Sequence, residues 1–429
     1  MPAVIIIFCL SVCAMLALVL FKPAVHAGKA AVSIFWVAPA LGVAALLIGR
    51  VLTPAEAWAG LAADSAVNPL KILVLFFSMT LLSVFLDEAG FFRYLAGAVL
   101  RRAGRSQRRL FLYLYLAVSV LTVFTSNDIV VLTFTPFICY FAKNADIDPL
   151  PYLIGEFVAA NTWSMAIIIG NPTNIYLAAS NGVGFADYLS VMLLPTVAAG
   201  VTSFFVLFLL FHRRLAAPMQ GSAPPYSLKD KPSVAVGLAA LCGCLLFLVL
   251  SSYLDLPMWI IAAAFCLALY AVATVMQLVR RRGLLMILRS VLRAPLDVIP
   301  FVLSMFVLVL ALERSGATAI LGAWLSGAGE IFSFGAASLL AANLVNNIPM
   351  SVLFASVTAG RGQGALFAAV IGSNIGAFLT PVGALAGIMW MAMLKDHGVS
   401  LGFGGFIRYG VAVAAPAAAA ALATLFFML

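Results

Sequence analysis

Apolar runs of about 20 residues recur from one end of this chain to the other, each long enough to cross a hydrocarbon layer about 30 Å thick. A backbone in lipid must satisfy its own hydrogen bonds, and runs of this length do so as helices. The 429 residues are 65% hydrophobic and 9% charged, which leaves too little polar surface to coat a soluble globule. The fold expected is therefore an all-α polytopic membrane protein with no separate soluble domain.

Full spans are expected near 3–21, 31–50, 70–87, 151–180, 188–212, 233–251, 257–278, 295–313, 364–394 and 405–428, about ten in all. Two more apolar runs, 110–142 and 333–360, are interrupted midway by polar residues and read as re-entrant helical hairpins. Polar backbone at membrane depth must be buried in protein or face water, so the interruptions mark an internal cavity.

Orientation follows from the loop cations. Arg93, Arg101, Arg102, Arg105, Arg108 and Arg109 follow the third span, and by the positive-inside rule that segment is cytoplasmic. Arg213, Arg214, Lys229 and Lys231 fall on the same side, as do Arg280, Arg281, Arg282, Arg289 and Arg293. Both termini are then external, and the net charge of +9 is a topology signal rather than a nucleic-acid footprint. Val25-His26-Ala27 resembles a signal-peptide end, but no Lys or Arg precedes the apolar run, so the first span is read as retained. Cys9, Cys13, Cys139, Cys242, Cys244 and Cys266 lie inside apolar runs, as buried small hydrophobes do.

Residues 69–90 align without a gap on 295–316, with seven identities in 22 that include Pro69/Pro295, Ser78/Ser304, Met79/Met305 and Gly90/Gly316. Each copy is followed by an amphipathic connector, an interrupted hairpin and a long span broken by polar residues. The organisation expected is two N-terminal spans (1–50), a first repeat (69–212), a cytoplasmic linker (213–232), two spans (233–278) and a second repeat (295–429). The loop charges run the copies in opposite directions, and inverted repeats with broken helices are the architecture of secondary transporters that alternate access around a midplane site.

The interruptions locate that site. The first hairpin tip reads Ser126-Asn127-Asp128, and the next span breaks at Gly170-Asn171-Pro172-Thr173-Asn174. The second tip carries Asn346 and Asn347, and its following span is expected to break at Gly372-Ser373-Asn374 and again at Thr380-Pro381-Val382-Gly383. Pro removes a backbone donor and Gly frees the chain, exposing carbonyls and N–H groups to a ligand or ion. Asp128 is a carboxylate at a hairpin tip, costly in a membrane without a partner or a task, and is the candidate proton carrier. Glu156, about one turn inside its span, is the second candidate, with an interfacial position the simpler reading. Asp87, Glu88 and Glu313 at span ends read as interfacial; Lys71 and Asp297 at span starts read as snorkelling.

No phosphate-binding loop, nucleophile–base set or His/Glu metal motif is present, so no enzyme, cofactor or metal centre is expected. Energy comes from an ion gradient, the membrane potential or a partner ATPase, and a homodimer stays open. The partners expected are a small molecule or ion and membrane lipid.

The stretch Phe85-Leu86-Asp87-Glu88-Ala89-Gly90-Phe91-Phe92, the Asn127-Asp128 tip with 132–136 after it, GVGFADYLSVMLLP at 182–195, Asn346-Asn347-Ile348-Pro349 and LTPVGALAGIMWM at 379–391 resemble the arsenite efflux permeases of the ArsB type. The resemblance spans nearly the whole chain and places it in the ion transporter superfamily, with citrate and dicarboxylate carriers and NhaD-type sodium/proton antiporters. It implies an inverted-repeat fold with a scaffold, a mobile transport part, and a site at two hairpin tips and two broken helices. Two departures stand out: Gly170-Asn171-Pro172-Thr173-Asn174 looks more like the Gly-x-Pro-x-Asn of carboxylate and sodium carriers, and Ser373-Asn374 replaces the usual Cys-Asp of the pumps. Conversely, dicarboxylate carriers typically carry Ser-Asn-Thr where this chain has Ser126-Asn127-Asp128, and an acid there would repel a dianion. The resemblance implies proton-coupled export of arsenite or antimonite across the inner membrane. The alternatives are a sodium- or proton-coupled anion carrier and a non-transporting membrane scaffold.

Overall fold

The computed structural model describes all residues except 22–23, 28–29, 64–67, 218, 220–227, 229, 252 and 328. Lys229 and half of the expected linker thus lie outside the described residues. The chain begins with α1 (Pro2–Phe21), a small antiparallel hairpin of β1 (Ala24–Ala27) and β2 (Ala30–Ser33), α2 (Val37–Ile48) and α3 (Pro54–Ala62). Then follow α4 (Pro69–Glu88), α5 (Phe91–Ala103), α6 (Gln107–Phe124), α7 (Asn127–Ala145), α8 (Leu150–Trp163), α9 (Pro172–Ser180) and α10 (Phe185–Phe211). After the linker come α11 (Lys231–Val249), α12 (Met258–Val279) and α13 (Leu285–Leu292). The chain ends with α14 (Val298–Arg314), α15 (Ala317–Ser326), α16 (Glu330–Val345), α17 (Asn347–Thr358), α18 (Gln363–Gly376), α19 (Leu385–Asp396) and α20 (Phe403–Met428).

The order of elements from α4 to α10 recurs from α14 to α20. Gly90 and Gly316, identical in the sequence alignment, both sit in the left-handed region (φ 85° and 79°) and open α5 and α15. A side chain there would be strained, which accounts for glycine at both positions.

Two expectations are corrected. The second span, 31–50, begins in β2, and its helix α2 is only 12 residues, about 18 Å at 1.5 Å per residue. By length and composition six helices among the described residues can cross alone, or seven if α14 and α15 are joined across their 76° bend; α6, one of the six, belongs to the first expected hairpin, and the expected spans 151–180 and 364–394 are built from shorter pieces, α8 with α9 and α18 with α19. Finally, Gly372, Ser373 and Asn374 do not break their span: all lie within α18, and the interruption is confined to 377–384. Gly372 serves packing instead, because a Cβ there would collide with the Ser338 hydroxyl and the Gly335 carbonyl of α16. Small residues let membrane helices approach where no hydrophobic force drives them together.

The helices sort into two packing groups. In one, α4 packs against α11, α12 and α13, while α14 packs against α1, α2 and α3, so the helices that precede each copy in sequence pack against the first helix of the other copy. The other contains α6 to α10 and α16 to α20, and α5 and α15 bridge the two groups. Ion pairs pin the ends of α4 and α14. Arg293, after α13, lies 2.7 Å from both Asp87 and Glu88; Arg314 lies 2.7 Å from Glu56 on α3. Glu88 and Arg314 occupy the same alignment position, so the pairing is charge-reversed between the copies. Asp87 is buried in this pair, not loose at an interface (5% exposed).

Candidate functional site

Four helices begin around one point. Thr125 and Ser126 are extended and α7 starts at Asn127. Asn171 is also extended, its Oδ1 accepts from the Thr173 N–H at 3.2 Å, and α9 starts at Pro172. Proline suits that first position, since its missing N–H would have no partner in the helix anyway. Asn346 holds φ 74° and ψ 152°, a strained conformation for any residue but glycine, immediately before α17. Ala384 is extended before α19. The starts of α7, α9, α17 and α19 enclose a cavity of about 320 Å³, lined from these elements by Ser126, Asn127, Asp128, Asn171, Pro172, Asn347 and Ala384 to Ala386. Each N-terminus carries partial positive charge; at α9 and α17 the first N–H groups are already bonded, Thr173 to Asn171 Oδ1, Asn347 to the Gly383 carbonyl and Ile348 to Asn346 Oδ1.

The Asn127 amide has a defined orientation. Asn161 on α8 donates through Nδ2 to the Phe157 carbonyl (2.8 Å) and so presents its oxygen, to which Asn127 donates through Nδ2 at 3.2 Å. Asn127 Oδ1 is thereby left as an acceptor with no partner among the described residues. Asp128, in the first turn of α7, likewise has no hydrogen bond or ion pair among the described residues. From the other packing group the cavity receives Phe76 and Thr80 of α4, Arg293, and Asp297 before α14. Asp297 lines the cavity rather than merely snorkelling. Arg293, the cation in this lining, is already held by Asp87 and Glu88.

The remaining candidates lie behind the cavity. Asn374 donates through Nδ2 to Asn174 Oδ1 at 2.7 Å and accepts from Asn171 Nδ2 at 3.0 Å; the Ser164 hydroxyl is 2.9 Å from the same Asn374 oxygen. Asn174 donates to the carbonyls of Ser164 (2.8 Å) and Ile167 (3.2 Å). Thr173, Asn174, Ser373 and Asn374 are all fully buried, and Ser373 Oγ has no partner among the described residues. At the second interruption the Thr380 hydroxyl donates to Asn343 Oδ1 (2.7 Å), Gly383 N–H donates to the Thr380 carbonyl (3.1 Å), and Pro381 lies between them. The second tip is sewn to this loop: Asn346 Nδ2 donates to the Val382 carbonyl at 3.0 Å and Asn347 N–H to the Gly383 carbonyl at 3.0 Å. Apart from Asn171 and Asn347, these residues shape the site without lining it.

Glu156 is not interfacial. It is 1% exposed inside α8, with the Thr135 hydroxyl of α7 at 3.1 Å from both carboxylate oxygens, and it does not line the cavity. None of the six cysteines lines it either. A second, more open cavity of about 560 Å³, lined by Lys71, Asp255, Leu256 and Trp259 among others, contains none of the candidate residues.

Sequence reasoning missed Thr80, Asn161, Ser164 and Asn343. Asn161 and Ser164 lie just before the first break and Asn343 just before the second tip, so polar residues one turn ahead of an interruption were the available signal. Thr80, one of three hydroxyls in its apolar run with Ser78 and Ser83, offered none.

A family model described as citrate transporter (CitMHS) matches residues 16–367, most of the chain. The chain belongs to this family. Members so described are membrane transporters, which agrees with the apolar helices and with the superfamily that the motifs resemble. The chain is similar to the arsenical pump membrane protein of Escherichia coli, at 28% identity over 372 residues that cover 82% of this chain and 84% of that one. It is also similar to the putative arsenical pump membrane protein of Bacillus subtilis (23% identity, 76% and 80% covered). Two solved transporters share the CitMHS chain's fold: YdaH of Alcanivorax borkumensis (TM-score 0.58, 14% identity, 99% and 98% covered) and MtrF of Neisseria gonorrhoeae (TM-score 0.55, 16% identity, 99% and 94% covered).

Proposed function

We propose that this transporter exports arsenite or antimonite in exchange for protons, with Asp128 as the proton carrier. The observation that carries the reading is the donor and acceptor balance of the cavity. The helix starts at α7 and α19 supply N–H donors, while Asn127 Oδ1 and the Asp128 carboxylate supply acceptors without a partner among the described residues. A neutral trihydroxy acid both accepts and donates hydrogen bonds and meets both sets. A fully ionised citrate offers mainly acceptors, and the Arg293 charge that would attract it is held by two acids. The names of the arsenical pump relatives support the same cargo.

In this reading α4 to α10 and α14 to α20 are inverted repeats, both termini are external, and the end of the cavity at Arg293 and Asp297 faces the cytoplasm. Asp128 takes up a proton while the site faces one side and gives it up to water on the other, its unpartnered position leaving it free to do so. Glu156 ranks behind it because it is walled off from the cavity.

A second reading, an anion carrier coupled to sodium or protons, is favoured by the four converging N-termini and by the description of the family model. Flux of arsenite, antimonite, citrate and sodium in vesicles, with and without a pH gradient, separates the two. Proton-driven arsenite or antimonite movement supports the first; citrate flux without metalloid flux overturns it.

A further inference from the structure

Thr80 sits in the middle of α4, on the opposite packing group from the hairpin tips, and is 3% exposed. Helical hydroxyls in this chain commonly bond back to the carbonyl four residues earlier: Ser83 to Met79 at 3.0 Å, Ser119 to Tyr115 at 2.7 Å and Thr196 to Met192 at 2.7 Å. Thr80 does not, and its Oγ1 has no partner among the described residues. Five buried serine and threonine hydroxyls share that condition (Thr80, Thr122, Thr162, Ser203 and Ser373), and of these only Thr80 lines the cavity. Leaving a buried hydroxyl unmade is unfavourable, so a group that bonds to it recovers that loss. Across the same cavity lie further acceptors without a partner among the described residues, Asn127 Oδ1 and the Asp128 carboxylate among them.

We infer that Thr80 is a cargo-binding residue: its hydroxyl contacts the hydroxylated cargo from the α4 side, across the cavity from Asn127 and Asp128. The inference rests on the proposed reading of the cargo as a neutral trihydroxy acid, whose hydroxyls can donate to the Thr80 oxygen or accept from its hydrogen. It also makes the contact one-sided. In the register that aligns Gly90 with Gly316, Thr80 aligns with Phe306, so α14 offers a ring where α4 offers a hydroxyl. When access alternates, α4 can hold the cargo with a hydrogen bond at one opening and α14 cannot at the other.

The test is arsenite flux in right-side-out and inverted vesicles carrying wild type, Thr80→Val or Thr80→Ser, with initial rates measured against arsenite concentration on each side. Valine keeps the branched shape without the hydroxyl, and serine restores it. Thr80→Val should raise the apparent KM roughly three- to tenfold on the Arg293 side, the worth of one neutral hydrogen bond, and leave the other side unchanged. Thr80→Ser should stay near wild type. If the valine variant does not insert, Thr80→Ala gives the same readout. An unchanged KM on both sides, an equal rise on both, or a serine variant as poor as valine overturns the inference. Wild type that carries no arsenite overturns the cargo reading itself, and the inference with it.

Discussion

Asn374 Nδ2 of α18 donates to Asn174 Oδ1 of α9 at 2.7 Å, joining the two broken helices across 200 residues of sequence. Both residues are fully buried, so the bond is shielded from water at every point. Asn374→Ala would leave Asn174 Oδ1 and Asn171 Nδ2 without this partner, at a cost of about 1–3 kcal/mol for each group stranded. The expected outcome is a lower melting temperature of the purified protein together with loss of transport. An unchanged melting temperature would show that the clasp is not needed to hold the two helices.

Asp128→Asn should keep the fold, because the amide preserves shape and hydrogen-bonding capacity where no ion pair is broken. It should abolish flux driven by a pH gradient, while Asp128→Glu retains part of it with a shifted pH optimum. Wild-type rates with unaltered pH dependence in the asparagine variant would make Asp128 structural and turn attention to Glu156.

The two charge-reversed pins should respond unequally to loss of a partner. Arg293→Ala leaves Asp87 buried without its counter-ion, and removing one member of a buried pair typically costs about 3–5 kcal/mol. The partial exposure of Arg293 puts the effect at the lower end. Glu56→Gln breaks a pair whose members are both more than two-fifths exposed, so little change is expected. Folded yield by fluorescence-detected size exclusion compares them directly, and equal losses would contradict the assignment.

Asp230, at the start of α11, supplies a pH-dependent element outside the membrane. Burial alone would raise its carboxyl, but the Ser233 hydroxyl, Arg280, the Gln277 amide and Arg282 outweigh burial and hold it at about 2. An aspartate in the unfolded chain titrates near about 3.9, so the folded state favours the carboxylate. The resulting stabilisation is complete above the unfolded value and is lost as pH falls through the folded one. The melting-temperature gap between wild type and Asp230→Asn should therefore be constant from neutral pH to about 5, narrow below that, and close near about 2. A gap that persists at the acid end would place its origin elsewhere.

Replacing all six cysteines with serine or alanine should leave metalloid flux largely intact, since none lines the cavity. A modest stability loss is expected at Cys244, which is fully buried and donates to Met79 Sδ at 3.7 Å. Loss of flux from Cys139 alone would mean that a thiol belongs to the ligand set.

The hairpin tips and the first break were legible in the sequence because Ser126-Asn127-Asp128 and Asn171-Pro172 combine polar side chains with helix-stopping backbone, which has one local meaning in an apolar run. Gly372 was not. A glycine beside a serine within an apolar run signals either a bend or a close helix neighbour, and only α16 lying against it decides between them. The cavity wall from α4 was hidden for a related reason: whether Thr80 bonds to its own helix or to something across a gap depends on the partner, not on the neighbours in sequence. The short α2 was misread because hydropathy does not tell a strand from the first turn of a helix, and β2 takes the residues that would have begun it.

The crossed attachment of the flanking helices bears on how the chain is made. α1 and α2 are made well before the helix they pack against, α14, which begins only at residue 298. Until it arrives they must wait in lipid or against the insertion machinery, and α4 in turn waits for α11 to α13. Each half of the sequence carries the cover for the other's central helix, so neither is a self-sufficient bundle.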